Sequence, residues 1–239
     1  MKLTFNDQHL IITGGTGALG SAVTELLIDA GARCSIPCFD EAELKNFPLE
    51  GQEALFVSTG VDLTDEEAAF SFFEKATSEM GALSASVHIA GGFEMGKIGD
   101  TTLEAFMKQI RINLITCYNS CRAAVERFRS AKKGGKILNV SSRPALEPRQ
   151  GAGRSAYTTS KAGVAALTAS LAEELVGEDI LVNAIAPSII DTAANRDAMP
   201  DADYTQWPKP AEIASQILYL VSEQNTVTRG AVIPVYGKK

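Results

Sequence analysis

Two histidines, His9 and His88, and four cysteines among 239 residues leave this chain poorly equipped for metal or hydrolytic chemistry. Cys34, Cys38, Cys117 and Cys121 show neither the Cys-x-x-Cys pairs nor the adjacent His of a zinc site. No metal is expected, and the thiols read as ordinary buried side chains of a reducing compartment. A Gly-x-Ser-x-Gly elbow is also missing, which with so little histidine removes a hydrolase triad. Positive charge is in deficit: 22 Lys and Arg against 29 Asp and Glu give a net charge of -7, no footprint for nucleic acid or an anionic membrane. No run approaches the roughly 18 apolar residues of a membrane span. The first ten residues carry Lys2, Asp7 and His9 instead of an apolar leader, so a cytoplasmic protein is expected.

What is present suits one sizeable core: 45% hydrophobic and 21% charged residues, without linker, repeat or low-complexity tract. Short apolar runs at 9–13, 33–38, 54–57, 86–90, 136–140, 180–186 and 231–235 read as strands. Helical spacing covers 19–30, 65–79, 102–130, 156–176 and 211–222. Strands that alternate with helices predict an α/β chain, a doubly wound parallel sheet of about seven strands with helices on both faces and right-handed crossovers. Residues 1–239 form a single domain in this reading, with a short polar lid near 193–207.

Two local patterns carry chemistry. Gly15-x-Gly17-x-x-Gly20 follows a strand and opens a helix, the context in which a pyrophosphate approaches the backbone at a helix N-terminus. A Walker loop fails, because Ser21 and Ala22 stand where Lys and then Ser or Thr would be needed. Tyr157 and Lys161 lie four apart on a helix and share a face, so an ammonium can favour the ionised phenol. With Ser142 upstream as a hydrogen-bond donor to a reacting oxygen, the set reads as proton-transfer machinery working beside a redox dinucleotide.

Taken in order along the chain, these residues resemble the classical short-chain dehydrogenase/reductase family, over essentially the whole length. Thr13-Gly14-x-x-x-Ala18-x-Gly20 is similar to that family's cofactor turn, and the resemblance puts Thr16, Gly17 and Leu19 against the dinucleotide as well. Asp62 with Leu63 falls where members hold the adenine. His88-Ile89-Ala90-Gly91 stands where they show Asn-Asn-Ala-Gly. Asn113 matches a helix asparagine that positions a water relay; Ser142, Tyr157 and Lys161 match the catalytic trio. Pro187, Ile190 and Thr192 match the segment beside nicotinamide. The resemblance implies a single-domain Rossmann fold, NAD(P)-dependent exchange between a small-molecule alcohol and its carbonyl, Lys161 holding the nicotinamide ribose, and a homo-oligomer, tetramer or dimer, built through the long helices at 102–130 and 156–176.

Departures accompany the match. His88 replaces the first Asn of the sheet motif, and Ser188 replaces the Gly after Pro187. Thr13-Gly14-x-x-Gly17-x-x-Gly20 also fits the extended branch of the superfamily, whose added C-terminal substrate region this chain lacks. His88 and Ser188 keep open a second reading, a nucleotide-sensing or regulatory protein with little chemistry. Cys38 occupies the family's usual acidic position, so Asp40, about 20 residues after the glycine turn, is expected to hold the adenosine ribose. No Lys or Arg directly follows that strand, which favours NAD over NADP. Arg143, Arg149 and Arg154 crowd the loop between Ser142 and Tyr157, either as solvated surface or as an attraction for an anionic substrate.

Overall fold

The apolar run before the glycines forms β1 (His9–Thr13), buried at every residue, and helix α1 (Ala18–Asp29) follows. β2 (Arg33–Pro37) and β3 (Leu55–Ser58) step outward on one side of β1. After α2 (Glu66–Met80) the chain crosses back and lays β4 (Leu83–His88) on the other side of β1. Beyond it come α3 (Leu103–Ile110), α4 (Thr116–Ala131), β5 (Gly135–Val140), the short α5 (Arg143–Leu146), α6 (Ser155–Glu174) and β6 (Ile180–Pro187). α7 (Ala193–Ala198), α8 (Pro210–Val221) and β7 (Val232–Val235) complete it. This computed structural model describes residues 3–238; Met1 and Lys2, part of the N-terminal stretch read for a leader, lie outside the described residues. No helix among the described residues is long and apolar enough to cross a membrane.

The sheet has seven strands in the order β3-β2-β1-β4-β5-β6-β7, every pairing parallel. Helices cover both faces: α1 and α8 pack on one core with Leu10, Ile12 and Leu138, while α2, α4 and α6 close the other over Ile11, Phe73 and Phe128. A strand buried on both faces cannot alternate, hence the continuous apolar runs in the sequence. Complete burial of Phe73 and Phe128 contributes roughly 1.5–3 kcal/mol each. Strand order reverses between β1 and β4, and that reversal opens a crevice at their carboxyl ends.

Two elements differ from the sequence expectation. The strand expected at 86–90 begins at Leu83 and stops at His88, which frees Ile89 to Gly91 to floor the crevice. The helix expected over 102–130 is broken by a π turn at Arg111–Ile115. An extra residue per turn disturbs hydrophobic spacing too little to be read from a pattern, yet it turns Asn113 into the molecule.

His9 gives β1 a pH-dependent anchor. Its Nδ1 donates to the Gly81 carbonyl at 2.8 Å and its Nε2 accepts from the Ser35 hydroxyl at 2.8 Å. Burial, first, lowers the imidazole from 6.5 to about 4. An unfolded chain takes up this proton from about pH 6.5 downward, the folded chain only near 4, so the stabilisation is complete above 6.5 and fades as pH falls to 4. We expect a loss of about 3 kcal/mol across that window in denaturant unfolding. His9→Gln should show a correspondingly flatter decline.

Candidate active site

The turn after β1 is shaped by close approaches. Gly14 has φ +68°, and a Cβ built on it would stand 2.8 Å from the Ala90 backbone nitrogen, two residues past the end of β4. Gly20 lies against the turn itself, its would-be Cβ 2.1 Å from the Gly14 carbonyl oxygen, so α1 can sit on the turn only with glycine there. Gly17 precedes α1 with no side chain capping the helix, which leaves the first amide groups free for an anion. A cleft of about 1110 Å³ opens over this turn. Gly14, Thr16, Gly17, Ala18, Leu19, Gly20, Asp62, Leu63, Ala90 and Gly91 line it, as do Phe39, Glu43, Lys108 and Arg111.

Asp40 does not line the cleft. Its carboxylate caps the 3-10 turn Glu41–Asn46, accepting from the Ala42 amide at 2.9 Å. That turn swings Glu43 back toward the glycines, where its carboxylate accepts from the Thr16 hydroxyl. Sequence spacing could not find Glu43, because the turn that returns it is set by tertiary packing. Asp62 steadies its own loop by accepting from the Thr64 amide at 2.8 Å, and Asn119 holds the Leu63 carbonyl at 3.0 Å.

The other end of the crevice collects the proton-transfer groups. Ser142 follows β5 and is buried, its Oγ without a hydrogen bond of normal geometry. Tyr157 and Lys161 rise on α6; Lys161 Nζ donates to the Val140 carbonyl at 2.9 Å, and Ser141 ties the α6 backbone down through the Lys161 carbonyl at 2.8 Å. Asn113 accepts from the Gly92 amide at 3.1 Å and donates to its carbonyl at 2.9 Å. A Cβ on Gly91 would stand 2.4 Å from Asn113 Oδ1 and 3.4 Å from Lys161 Nζ, so the floor of the large cleft runs directly into the Lys161 neighbourhood. Ser142, Tyr157, Lys161 and Asn113 thus share one end, although none of them lines the larger cleft.

Electrostatics here depart from the simple helix-face argument. Burial pushes the Tyr157 phenol above its usual value, while the Ser142 hydroxyl and then the Arg154 charge pull it back. Lys161 is itself brought down to about 8 by burial. Arg154, three residues earlier, is a cation that lowers the Tyr157 phenol, while the Lys161 ammonium donates to the Val140 carbonyl.

Pro187 ends β6, and the chain beyond it is held closely. Thr192 caps α7 by accepting from the Asn195 amide at 3.2 Å, and Asn195 holds the Ile190 carbonyl at 2.8 Å. Ser188 donates to the Tyr236 carbonyl at 2.8 Å and has no positive φ, so glycine is not required there. His88 is equally well accommodated. Asn139 donates to Thr168 at 2.9 Å, which leaves its oxygen to accept from His88 Nδ1 at 2.8 Å; His88 Nε2 accepts from Ser86 at 2.8 Å. Cys117 and Cys121, a turn apart on α4, come with His88 to within 4.8 Å of one another, a gathering that sequence spacing did not suggest. Both imidazole nitrogens are already bonded, so the cluster serves as a pin between β4, β5 and α4.

The model of the family described as short chain dehydrogenase matches residues 8–203. The chain belongs to that family. Short-chain dehydrogenases use NAD(P), and this member is an oxidoreductase of the dehydrogenase/reductase kind. The short-chain dehydrogenase is 31% identical to the cis-4-hydroxycyclohexanecarboxylate dehydrogenase of Sinomonas cyclohexanicum, over 99% of this chain and 98% of that one. It is 29% identical to the acetoacetyl-CoA reductase of an Acinetobacter species, over 95% of each. Among solved structures, a short-chain type dehydrogenase/reductase from Mycobacterium ulcerans superposes with a TM-score of 0.90 at 25% identity, covering 99% of this chain and 90% of that chain. The short-chain dehydrogenase fold of seven parallel strands between helices agrees with that structure.

Proposed function

We propose that this protein interconverts a small secondary alcohol and its ketone, with Tyr157 as the acid/base group and NAD as the preferred dinucleotide. The observation that carries the reading is Ser142 Oγ, a buried hydroxyl set against the Tyr157 phenol yet without a hydrogen bond of normal geometry, so a substrate oxygen can bond to both. The glycine turn fits a dinucleotide: the first amides of α1 are uncapped, and a Cβ on Gly17 would meet only the Gly14 oxygen at 3.5 Å, leaving an open face. When bound, the nicotinamide accepts or returns the hydrogen of the carbinol carbon. The protein's own part is proton handling. Tyr157 takes the hydroxyl proton in oxidation and gives it back in reduction, while Ser142 holds that oxygen by a hydrogen bond that strengthens as charge develops. Lys161, buried and low, holds the ribose and returns protons toward Tyr157; Asn113 orients the relay behind it. Pro187, Ile190 and Thr192 border the nicotinamide end.

Turnover of oxidised and reduced NAD and NADP over a panel of alcohols and ketones tests the reading, followed by the absorbance of reduced nicotinamide. Tight dinucleotide binding with no turnover in any combination would replace it by a sensor. No structural observation favours that alternative, since His88 and Ser188 are both fully engaged.

Preference for NAD rests on Glu43 in place of Asp40. A 2'-phosphate near Thr16 would meet the Glu43 carboxylate, whereas ribose hydroxyls would find an acceptor. Lys108 offers little compensation because Glu94 holds it at 3.3 Å. Glu43→Gln should raise the kcat/KM ratio of NADP to NAD by roughly tenfold, a change of about 1.4 kcal/mol. Asp40→Asn should leave that ratio within about twofold. The reading extends to a homo-oligomer through α4 and α6, where Tyr118, Val125 and Leu171 line a surface groove of about 300 Å³.

A further inference from the structure

Three buried side-chain polar atoms have no hydrogen bond among the described residues: Ser142 Oγ, Arg154 Nε and Thr158 Oγ1. Ser142 and Arg154 both act on the Tyr157 phenol, so these two gather around one residue, while Thr158 Oγ1 lies against Gly151. Buried polar groups are nearly always satisfied, and a local cluster of exceptions marks where a ligand completes the bonding. The alcohol oxygen accounts for Ser142. It does not account for Arg154, a cation.

Arg154 differs from Arg143 and Arg196. Arg143 is paired with Glu147 at 3.0 Å and lies over the Tyr236 ring at 4.8 Å; Arg196 is paired with Asp191 at 2.6 Å. Among the described residues no carboxylate bridges Arg154. Its guanidinium rests instead 5.8 Å from the centre of the Phe93 ring, and that ring meets Tyr157 edge to face at 5.0 Å. The Gly96 amide donates to the Gly153 carbonyl at 2.9 Å and ties the two segments together, and the Arg154 amide turns back to the Gly151 carbonyl at 3.0 Å. A guanidinium fork with an orphan N–H, held beside an aromatic wall and a proton-transfer phenol, is built to receive a carboxylate.

We propose that Arg154 forms an anion subsite and that the substrate is a hydroxy acid, or the corresponding keto acid, whose carboxylate pairs with Arg154 while its hydrocarbon lies against Phe93. The inference rests on the oxidoreductase reading above. In oxidation the carbinol C–H bond breaks with its electron pair passing to the oxidised dinucleotide, the O–H proton passes to Tyr157, and a C=O bond forms; the carboxylate is unchanged.

The test compares 3-hydroxybutyrate and 4-hydroxycyclohexanecarboxylate with their methyl esters, in the wild type and in Arg154→Gln. For at least one pair the wild type should favour the acid by about 100-fold in kcat/KM. Arg154→Gln should abolish that preference, raising KM for the acid at least tenfold more than for the ester, while any loss in kcat through Tyr157 falls equally on both; Arg154→Lys should recover part of the preference. Equal use of acid and ester by the wild type overturns the subsite. An equal loss for both in Arg154→Gln also overturns it, since Arg154 would then act only on Tyr157. Should neutral alcohols react while the acids do not, the subsite falls and the oxidoreductase reading stands. Should nothing react, that reading falls, and calorimetric binding of cyclohexanecarboxylate decides the subsite: at least a tenfold weaker affinity in Arg154→Gln supports it, equal affinity rejects it.

Discussion

Tyr157→Phe should lower kcat/KM by about 100- to 10,000-fold in both directions while leaving dinucleotide affinity and the melting temperature nearly unchanged. The separation follows from the surroundings of the phenol. The neighbour of its oxygen is the Ser142 hydroxyl, which can turn to a substrate or water oxygen, so deleting the phenol oxygen strands no backbone group. The ring keeps its edge-to-face contact with Phe93, which phenylalanine reproduces. Most tyrosines half-buried in a helix would behave in the opposite way, losing stability and leaving chemistry untouched. Steady-state kinetics, fluorescence titration with reduced dinucleotide and a thermal melt on one preparation suffice. Retention of activity within about threefold would show that another group carries the proton and would remove the assignment of Tyr157.

Gly20→Ala and Gly17→Ala should fail in different ways. Within a helix alanine normally stabilises over glycine by about 1 kcal/mol, and Gly20 stands in the first turn of α1 while Gly17 is its N-cap. At Gly20 the sign reverses: the new methyl would lie 2.1 Å from the Gly14 oxygen and 2.6 Å from the Gly15 Cα, both backbone, so the helix must move off the turn. A cost of about 1–3 kcal/mol is expected, together with loss of dinucleotide binding as the amides lose their aim. At Gly17 the nearest atom is 3.5 Å away, an ordinary contact, so the unliganded protein should keep its stability. Affinity for the dinucleotide should nonetheless fall by at least tenfold, because the methyl fills the face through which a pyrophosphate approaches. Chemical denaturation and binding isotherms on the two variants distinguish the cases; a Gly20→Ala protein as stable as the wild type would refute the packing argument.

The glycine turn and the strands were legible in the chain because each is written locally, whereas the helix that carries Tyr157 and Lys161 was readable but not that Lys161 turns onto the Val140 carbonyl. Strand β1 was readable to its ends, since a run buried on both faces needs nothing but apolar residues. The π turn around Asn113 was not, because one additional residue in a helical turn leaves the periodicity almost intact. Cys117 and Cys121 showed their helical spacing, whereas His88, which completes their cluster, arrives from another strand. Glu43 was hidden for a related reason: distance along the chain pointed to Asp40, and a 3-10 turn decided which carboxylate faces the cleft.

By itself the sequence determined the parallel α/β architecture and the glycine turn that follows β1. Apolar periodicity and the steric demands of a glycine turn act over a few residues, so they can be read in order. Only the tertiary structure decided which ions remain without partners. Arg143 and Arg154 are alike on paper, but Glu147 neutralises the first and Phe93 shelters the second. Charge pairing depends on distances of a few ångströms between side chains carried by different elements, and folding alone sets those distances.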